Sequence, residues 1–365
     1  MIKLLFTINY VTNGGPSRVL LNIINNLDRS IFDIYVLTII DSNEKVIIRD
    51  LENKNVRVIS FNIEKNLKSF FSSKNQIVEK IEEIKPDIIH THGIVTTFLV
   101  SRIKGKTGKI TTIHNNIFED YTFTYGKVKG FILAIINLII LKNFNKVISC
   151  SETSYNQIKR VLKNSTFIRN GIDFINTSSI DIRKAYSIPQ NAIVYMYCGV
   201  INSRKRVYDL VENLLPLLLD NEFLLIVGDG DKNIVNSIKS ISNEKVIFAG
   251  FQTNIVDYLN SSDIYVSYSA SEGFSISVIE ALSQNLYCFL SDIESHKECF
   301  EIDKKYYIGE TFNLENIEEK KSKLNQEFKS KKERDIDEFQ RQYLSGRVMT
   351  DEYVKIYKEI CKGNN

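Results

Sequence analysis

The chain has no tryptophan, only four histidines and five cysteines, and each shortage removes a class of protein from consideration. Cys150, Cys198, Cys288, Cys299 and Cys361 are scattered without a C-x-x-C pair, so neither a disulfide framework nor a zinc site is expected. No apolar run reaches the roughly 18 residues of a membrane span. The nearest approach, Phe131 to Leu141, is broken by Asn137 and flanked by Lys127, Lys129, Lys142 and Lys146. The first residues carry one lysine and a short apolar run before Asn9, too little for a secretory core, so a first strand and a cytoplasmic location are expected. Net charge is scarce too: 47 Lys+Arg against 44 Asp+Glu leave +3, which gives no nucleic-acid footprint, and no nucleic-acid partner is expected. There is no internal repeat, no G-x-G-x-x-G fingerprint and no P-loop.

What remains is a folded chain of 365 residues, 43% apolar and 25% charged, long enough at roughly 150 residues per domain for two cores. Short Ile- and Val-rich runs alternate with amphipathic stretches: Ile2 to Ile8, Ser17 to Leu27, Ile34 to Ile40, and so on to Lys146 to Cys150. Runs apolar on both faces and separated by helical patterns imply a parallel α/β sheet. The order then restarts, with strands at Ala192 to Cys198, Phe223 to Val227, Val246 to Ala249 and Ile264 to Tyr268. Two doubly wound sheets follow. Between them the polar stretch Asn170 to Pro189 reads as a linker, so we expect one domain over 1–174, a second over 175–340 and a C-terminal helix over 341–365 that packs back on the first.

The loops after the strands carry the chemistry. Gly14-Gly15-Pro16-Ser17-Arg18 follows the first strand and opens a helix, and its glycines let a backbone approach an anion. Gly228-Asp229-Gly230 is read as a tight turn, and Asp229 with Asp231 as a solvated loop, so no metal is expected. Ser269 to Leu282 is the richest segment. Gly273, Phe274, Ser275 and Ile276 form a strand-to-helix turn whose backbone N–H groups can meet phosphate or sugar oxygens. Glu272 and Glu280 bracket that turn, and carboxylates so placed can accept from vicinal hydroxyls. Glutamates in a first helical turn also arise simply because they complement the dipole, so spacing alone does not decide.

These residues resemble glycosyltransferase family 4, retaining enzymes of the GT-B architecture with two Rossmann-like domains facing a cleft. Glu272 to Glu280 is similar to the family's E-x7-E motif, Gly14 to Arg18 to its G-G-x-x-R loop, and Arg169-Asn170-Gly171-Ile172-Asp173 to its P-N-G-V-D element. Asp292 to Glu298 fits a D-x5-E continuation, and Gly199 with Lys205 fits G-R-x4-K except that Val200 stands where the family has arginine. The resemblance implies transfer from a nucleotide-diphosphate sugar, UDP-linked by expectation, to a hydroxyl of a glycan or lipid-linked acceptor in bacterial surface polysaccharide synthesis, with no cofactor. It implies Lys205 on the phosphates with Arg204 or Arg206 as helpers, Gly15 and the backbone of 274–276 as donors, Glu280 on the ribose, and Glu272 on the transferred sugar.

His114, at a strand end, is expected near the transferred sugar, with His92 and Asn115 on the acceptor side. Asn170 and Gly171 are expected at the domain junction, and His296 on the surface. Phe131 to Leu141 is read either as a patch resting on an anionic bilayer or as a buried or dimer-forming helix. Two other readings stand beside the transferase: a UDP-sugar epimerase of the same architecture, and a catalytically degenerate partner protein, motivated by Val200.

Overall fold

The computed structural model describes residues 1–12, 14–40, 45–64, 67–173, 180–329 and 334–364. The boundary expected near 175, with Asn176, Thr177, Ser178 and Ser179 of the linker and Asn13 of the first loop, lies outside the described residues. The chain divides into two compact units, Met1–Ile172 joined by Gly346–Asn365, and Asp173–Ser345.

The first unit is built on seven parallel strands: β1 (Ile2–Ile8), β2 (Phe32–Ile40), β3 (Arg57–Ile63), β4 (Ile88–His92), β5 (Gly108–Ile113), β6 (Lys146–Ser149) and β7 (Ser165–Phe167). Their order is β3-β2-β1-β4-β5-β6-β7. Helices cover the central strands, so Leu4, Leu5, Phe6, Ile88 and Ile89 are fully buried, which is why these strands read as unbroken apolar runs. The helix Gly346–Asn364 belongs to this unit and packs on the helix Gly15–Asn26 and on β4 and β5. Its tyrosines make buried polar contacts with the sheet: Tyr357 Oη lies 2.8 Å from His90 Nδ1, and Tyr353 Oη lies 2.9 Å from Thr112 Oγ1.

The second unit has six parallel strands: β8 (Ile193–Cys198), β9 (Glu222–Val227), β10 (Val246–Gly250), β11 (Ile264–Ser267), β12 (Tyr287–Ser291) and β13 (Gly309–Phe312). Their order is β10-β9-β8-β11-β12-β13. Each sheet therefore reverses direction beside its first strand, between β1 and β4 and between β8 and β11, and an open α/β sheet binds ligands at the carboxyl ends flanking such a point. The Gly228 to Gly230 turn has a packing cause: a Cβ on Gly228 would stand 1.9 Å from the Gly199 carbonyl oxygen, so the loop after β9 closes directly on the loop after β8. Asp231 caps the helix Lys232–Ile241 by accepting from the N–H groups of Asn233 and Ile234, and Asp229 accepts from the N–H of Gly230.

Candidate functional site

At the carboxyl ends of β8 and β11 the second unit gathers the charged residues singled out in the sequence. The chain leaves β8 at Cys198 and passes Val200, whose side chain is 60% exposed, before reaching Arg204 and Lys205. Asn202 Oδ1 accepts from the Lys205 N–H, and the Arg204 carbonyl accepts from the Ala270 N–H at 2.8 Å, tying this loop to the one after β11. Lys205 Nζ lies 2.5 Å from Glu272 Oε1, and Arg204 Nη1 lies 3.2 Å from Glu272 Oε2 and donates to the Ser271 carbonyl at 2.6 Å. Burial alone pushes the Glu272 carboxyl upward, but the Lys205 and Arg204 charges outweigh it and hold the group at about 2. Glu272 is therefore a fixed anion with acceptor capacity only.

Arg206 adopts a left-handed backbone, φ 50°, at the start of the helix Val207–Leu214, a conformation that costs a non-glycine residue roughly 1 kcal/mol and that sets the turn carrying Lys205. Its guanidinium sits over the Tyr268 ring at 5.8 Å and near Asp209, away from Glu272. Beyond Glu272, Gly273 and Phe274 are buried, and Ser275 leads into the helix Ile276–Ser283 without a side-chain cap. Glu280, on that helix, is buried as well.

His296 corrects the sequence reading: it is buried rather than on the surface. The Ser291 carbonyl lies 3.0 Å from its Nδ1, and Ser291 Oγ, which donates its own proton to the Ser269 carbonyl, lies 3.1 Å from the same nitrogen. Both neighbours can only accept there, so Nδ1 carries the proton and Nε2 presents a lone pair. That Nε2 is buried with no hydrogen-bond partner among the described residues. Burial pulls the imidazole down to about 4 against the opposing pull of Glu272, which leaves it neutral at pH 7. Sequence inspection missed it because Ser295-His296-Lys297-Glu298 is polar on its face; only the packing of the helix Glu294–Glu301 against the sheet buries it.

The first unit holds a cavity of about 330 Å³ at the ends of β1, β4 and β5, lined among others by Asn9, Gly14, His92, His114, Asn115 and Asn137. Gly93, at φ +118°, turns the chain out of β4, and a Cβ there would be strained and would come 3.3 Å from the Asn9 side chain. His92 Nδ1 lies 3.0 Å from His114 Nε2, and Asn115 donates to Asp120 at 3.0 Å. Asn9 Oδ1, His92 Nε2 and Asn137 Oδ1 are buried without hydrogen-bond partners among the described residues, and all three residues line this one cavity. Burial lowers His90 to about 3, His114 to about 4 and His92 well below its ordinary value, so the cluster is neutral at pH 7.

Gly15 begins the helix next to this cavity, and Gly14, not Gly15, lines it. Asn170 and Gly171 are buried in the first unit, where the Gly171 N–H points to Met349 Sδ at 3.2 Å on the returning helix. Of the sequence candidates, then, Gly15, His92, His114, Asn115, Asn170 and Gly171 belong to the first unit, and Arg204, Lys205, Arg206, Glu272 to Ile276 and Glu280 to the second. Among the described residues no three metal-ligating side chains cluster.

Two family models match the chain in succession. Residues 13–174 match the model described as Glycosyltransferase Family 4, and residues 178–342 match that described as Glycosyl transferases group 1. The O-antigen biosynthesis glycosyltransferase WclY of Escherichia coli is 28% identical over 278 residues, 70% of this chain and 77% of its own length. The UDP-Gal:alpha-D-GlcNAc-diphosphoundecaprenol alpha-1,3-galactosyltransferase of the same species is 26% identical over 256 residues, 64% of this chain and 63% of its own. Anabaena Alr3699/HepE in complex with UDP-glucose superposes with a TM-score of 0.77 at 15% identity, over 98% of this chain and all of that one, a likeness of fold. With a family 4 glycosyltransferase model matched over 13–174 and a group 1 glycosyl transferase model over 178–342, on two parallel sheets of the GT-B kind, the chain is a glycosyltransferase.

Proposed function

We propose that this enzyme transfers a sugar from a UDP-linked donor to a hydroxyl of a glycan or lipid-linked acceptor, with retention at the anomeric carbon, in the assembly of a bacterial surface polysaccharide. The observation that carries the proposal is Glu272 gripped by Lys205 and Arg204 at the switch point of the second sheet. Two cations and a turn of backbone N–H groups are what a departing diphosphate needs, because negative charge builds on its oxygens as the bond to the sugar breaks. Arg204 supplies the guanidinium that Val200 does not, since its head already reaches the same carboxylate as Lys205. Glu272, ionised at any physiological pH, accepts from hydroxyls of the transferred sugar, and Glu280 from those of the ribose.

In the transfer, the bond between the anomeric carbon and the phosphate oxygen breaks, the acceptor oxygen bonds to the same face, and its proton passes to the leaving diphosphate. No side-chain base is required for that balance. Neutral His114 and His92, with Asn115, line the first unit's cavity and hydrogen-bond sugar hydroxyls rather than carry charge. The relative named for an O-antigen supports surface polysaccharide synthesis, and the one named for a diphosphoundecaprenol acceptor supports a lipid-linked acceptor. A thermal-shift panel of nucleoside diphosphates and UDP-sugars tests the donor; at a hundred times its dissociation constant a ligand adds about 2.7 kcal/mol. A flat panel overturns the reading, and an acceptor-independent change in the donor's sugar would make the protein an epimerase. Inversion at the product's anomeric centre, read by NMR coupling constants, overturns retention.

A further inference from the structure

The helix Lys127–Leu141 has two faces with different surroundings. Gly130, Ala134, Asn137, Leu138 and Leu141 are buried, whereas Val128, Phe131, Ile132, Ile135, Ile136 and Ile139 are exposed by 39% or more. Phe123 and Tyr125, each 49% exposed, extend the patch from the preceding helix Ile117–Tyr125. Single exposed apolar side chains need no explanation, but this many in one stretch mark a surface that something covers. The patch is held firmly: a Cβ on Gly130 would come within 2.4 Å of the Tyr121 carbonyl, so the two helices cross at backbone contact.

We infer that this helix rests on an anionic lipid bilayer. The helix contains no acidic residue, and exposed Lys127, Lys129 and Lys142 stand at its two ends, an arrangement that places ammonium groups at phosphate level once the apolar face sinks into the acyl boundary. The nearest carboxylates in sequence, Glu119 and Asp120, sit in the first turn of the preceding helix. A second copy of the chain fits less well, because a two-fold contact would set these lysines against their own counterparts. Fifteen residues rise only about 22 Å, short of a hydrocarbon core of roughly 30 Å, so the helix lies on the bilayer and does not cross it. Among the described residues no helix is long and apolar enough to span one.

The buried face adds the functional link. Asn137, whose Oδ1 has no partner among the described residues, lines the cavity that holds His92 and His114. One helix thus supplies a wall of the polar cavity and the apolar face turned to lipid. The inference deepens the transferase reading and rests on it in this respect: the bilayer brings a lipid-linked acceptor to the cavity that wall encloses.

Co-sedimentation of the full chain with vesicles of phosphatidylcholine, alone and mixed with phosphatidylglycerol, tests it. We expect binding to the mixed vesicles, weakened more than tenfold by Ile132→Glu with Ile136→Glu and about fivefold per lysine replaced at Lys127 and Lys129. Both isoleucines are exposed, so the monomer should fold unchanged. Equal sedimentation of wild type and double variant overturns the inference, as does a concentration-dependent dimer that the double variant abolishes without any vesicle binding. A UDP thermal shift on the same samples separates the two readings: vesicle binding without a UDP shift removes the transferase and leaves the bilayer contact standing, and the converse removes only the contact.

Discussion

At the scale of single residues, the chemistry turns on how Glu272 is held. Its two cations come from a loop far away in sequence, and replacing Lys205 by Ala strips the carboxylate of its shortest contact and, in the proposed site, removes a point charge from the diphosphate. We expect transfer to fall at least about a hundredfold in kcat, the usual loss when one preorganised electrostatic partner is removed; unchanged turnover would remove Lys205 from the site. Val200 offers a sharper test. If Arg204 does the work of the family's arginine, Arg204→Ala should cost about as much as Lys205→Ala, and Val200→Arg added to it should recover part of the rate, since that side chain is 60% exposed and has room. No recovery would place the function of Arg204 in holding the Ser271 loop instead. Lys205 and Glu272 were each legible in the sequence, because strand-end loops and helix starts have local signatures. Their pairing was not, and neither was buried His296, because both depend on which strands become neighbours.

At the scale of elements, strands with an apolar Ile- or Val-bearing run were readable whatever their length, the four-residue β6 and β11 included, and strands without one were not. β1, β2, β8 and β9 are runs of six to nine residues rich in Ile, Val and Leu. β7 has three residues, and β12 and β13 mix aromatics with serine, threonine and glycine, so local composition favours no state and pairing with neighbouring strands decides. The Gly228 turn, read from the sequence, is also a packing contact that the sequence does not show. Gly228→Ala should lower stability by roughly 1–3 kcal/mol through overpacking against Gly199, measured by denaturant midpoint at constant slope. A change within a few tenths would mean that the loops after β8 and β9 part easily. Tyr357→Phe should also cost about 1–3 kcal/mol, because it leaves His90 Nδ1 buried without its partner.

At the scale of the whole molecule, all four histidines are held neutral, three in the first unit and one in the second. Their folded values lie below the 6.5 of an unfolded histidine, so the unfolded chain binds more protons and stability is lost as pH falls from about 6.5 toward 4. Each contributes up to about 1.4 kcal/mol per pH unit across that window. Glu272, folded near 2 against 4.5 unfolded, adds its own loss only below about pH 4.5. Hydrogen exchange followed from pH 7.5 to 5 should therefore show protection fading first in the first unit's strands. Equal fading in both units, or none, would contradict the burial of the histidine cluster.

The central claim is that the loops after β8 and β11 hold a nucleoside diphosphate, and calorimetric titration of UDP into the wild type, Lys205→Ala and the Ile132→Glu/Ile136→Glu variant tests it most directly. Saturable binding to the wild type and the isoleucine variant, weakened at least tenfold in Lys205→Ala, is the result expected here; no binding to any of them, or equal binding to all three, would contradict it.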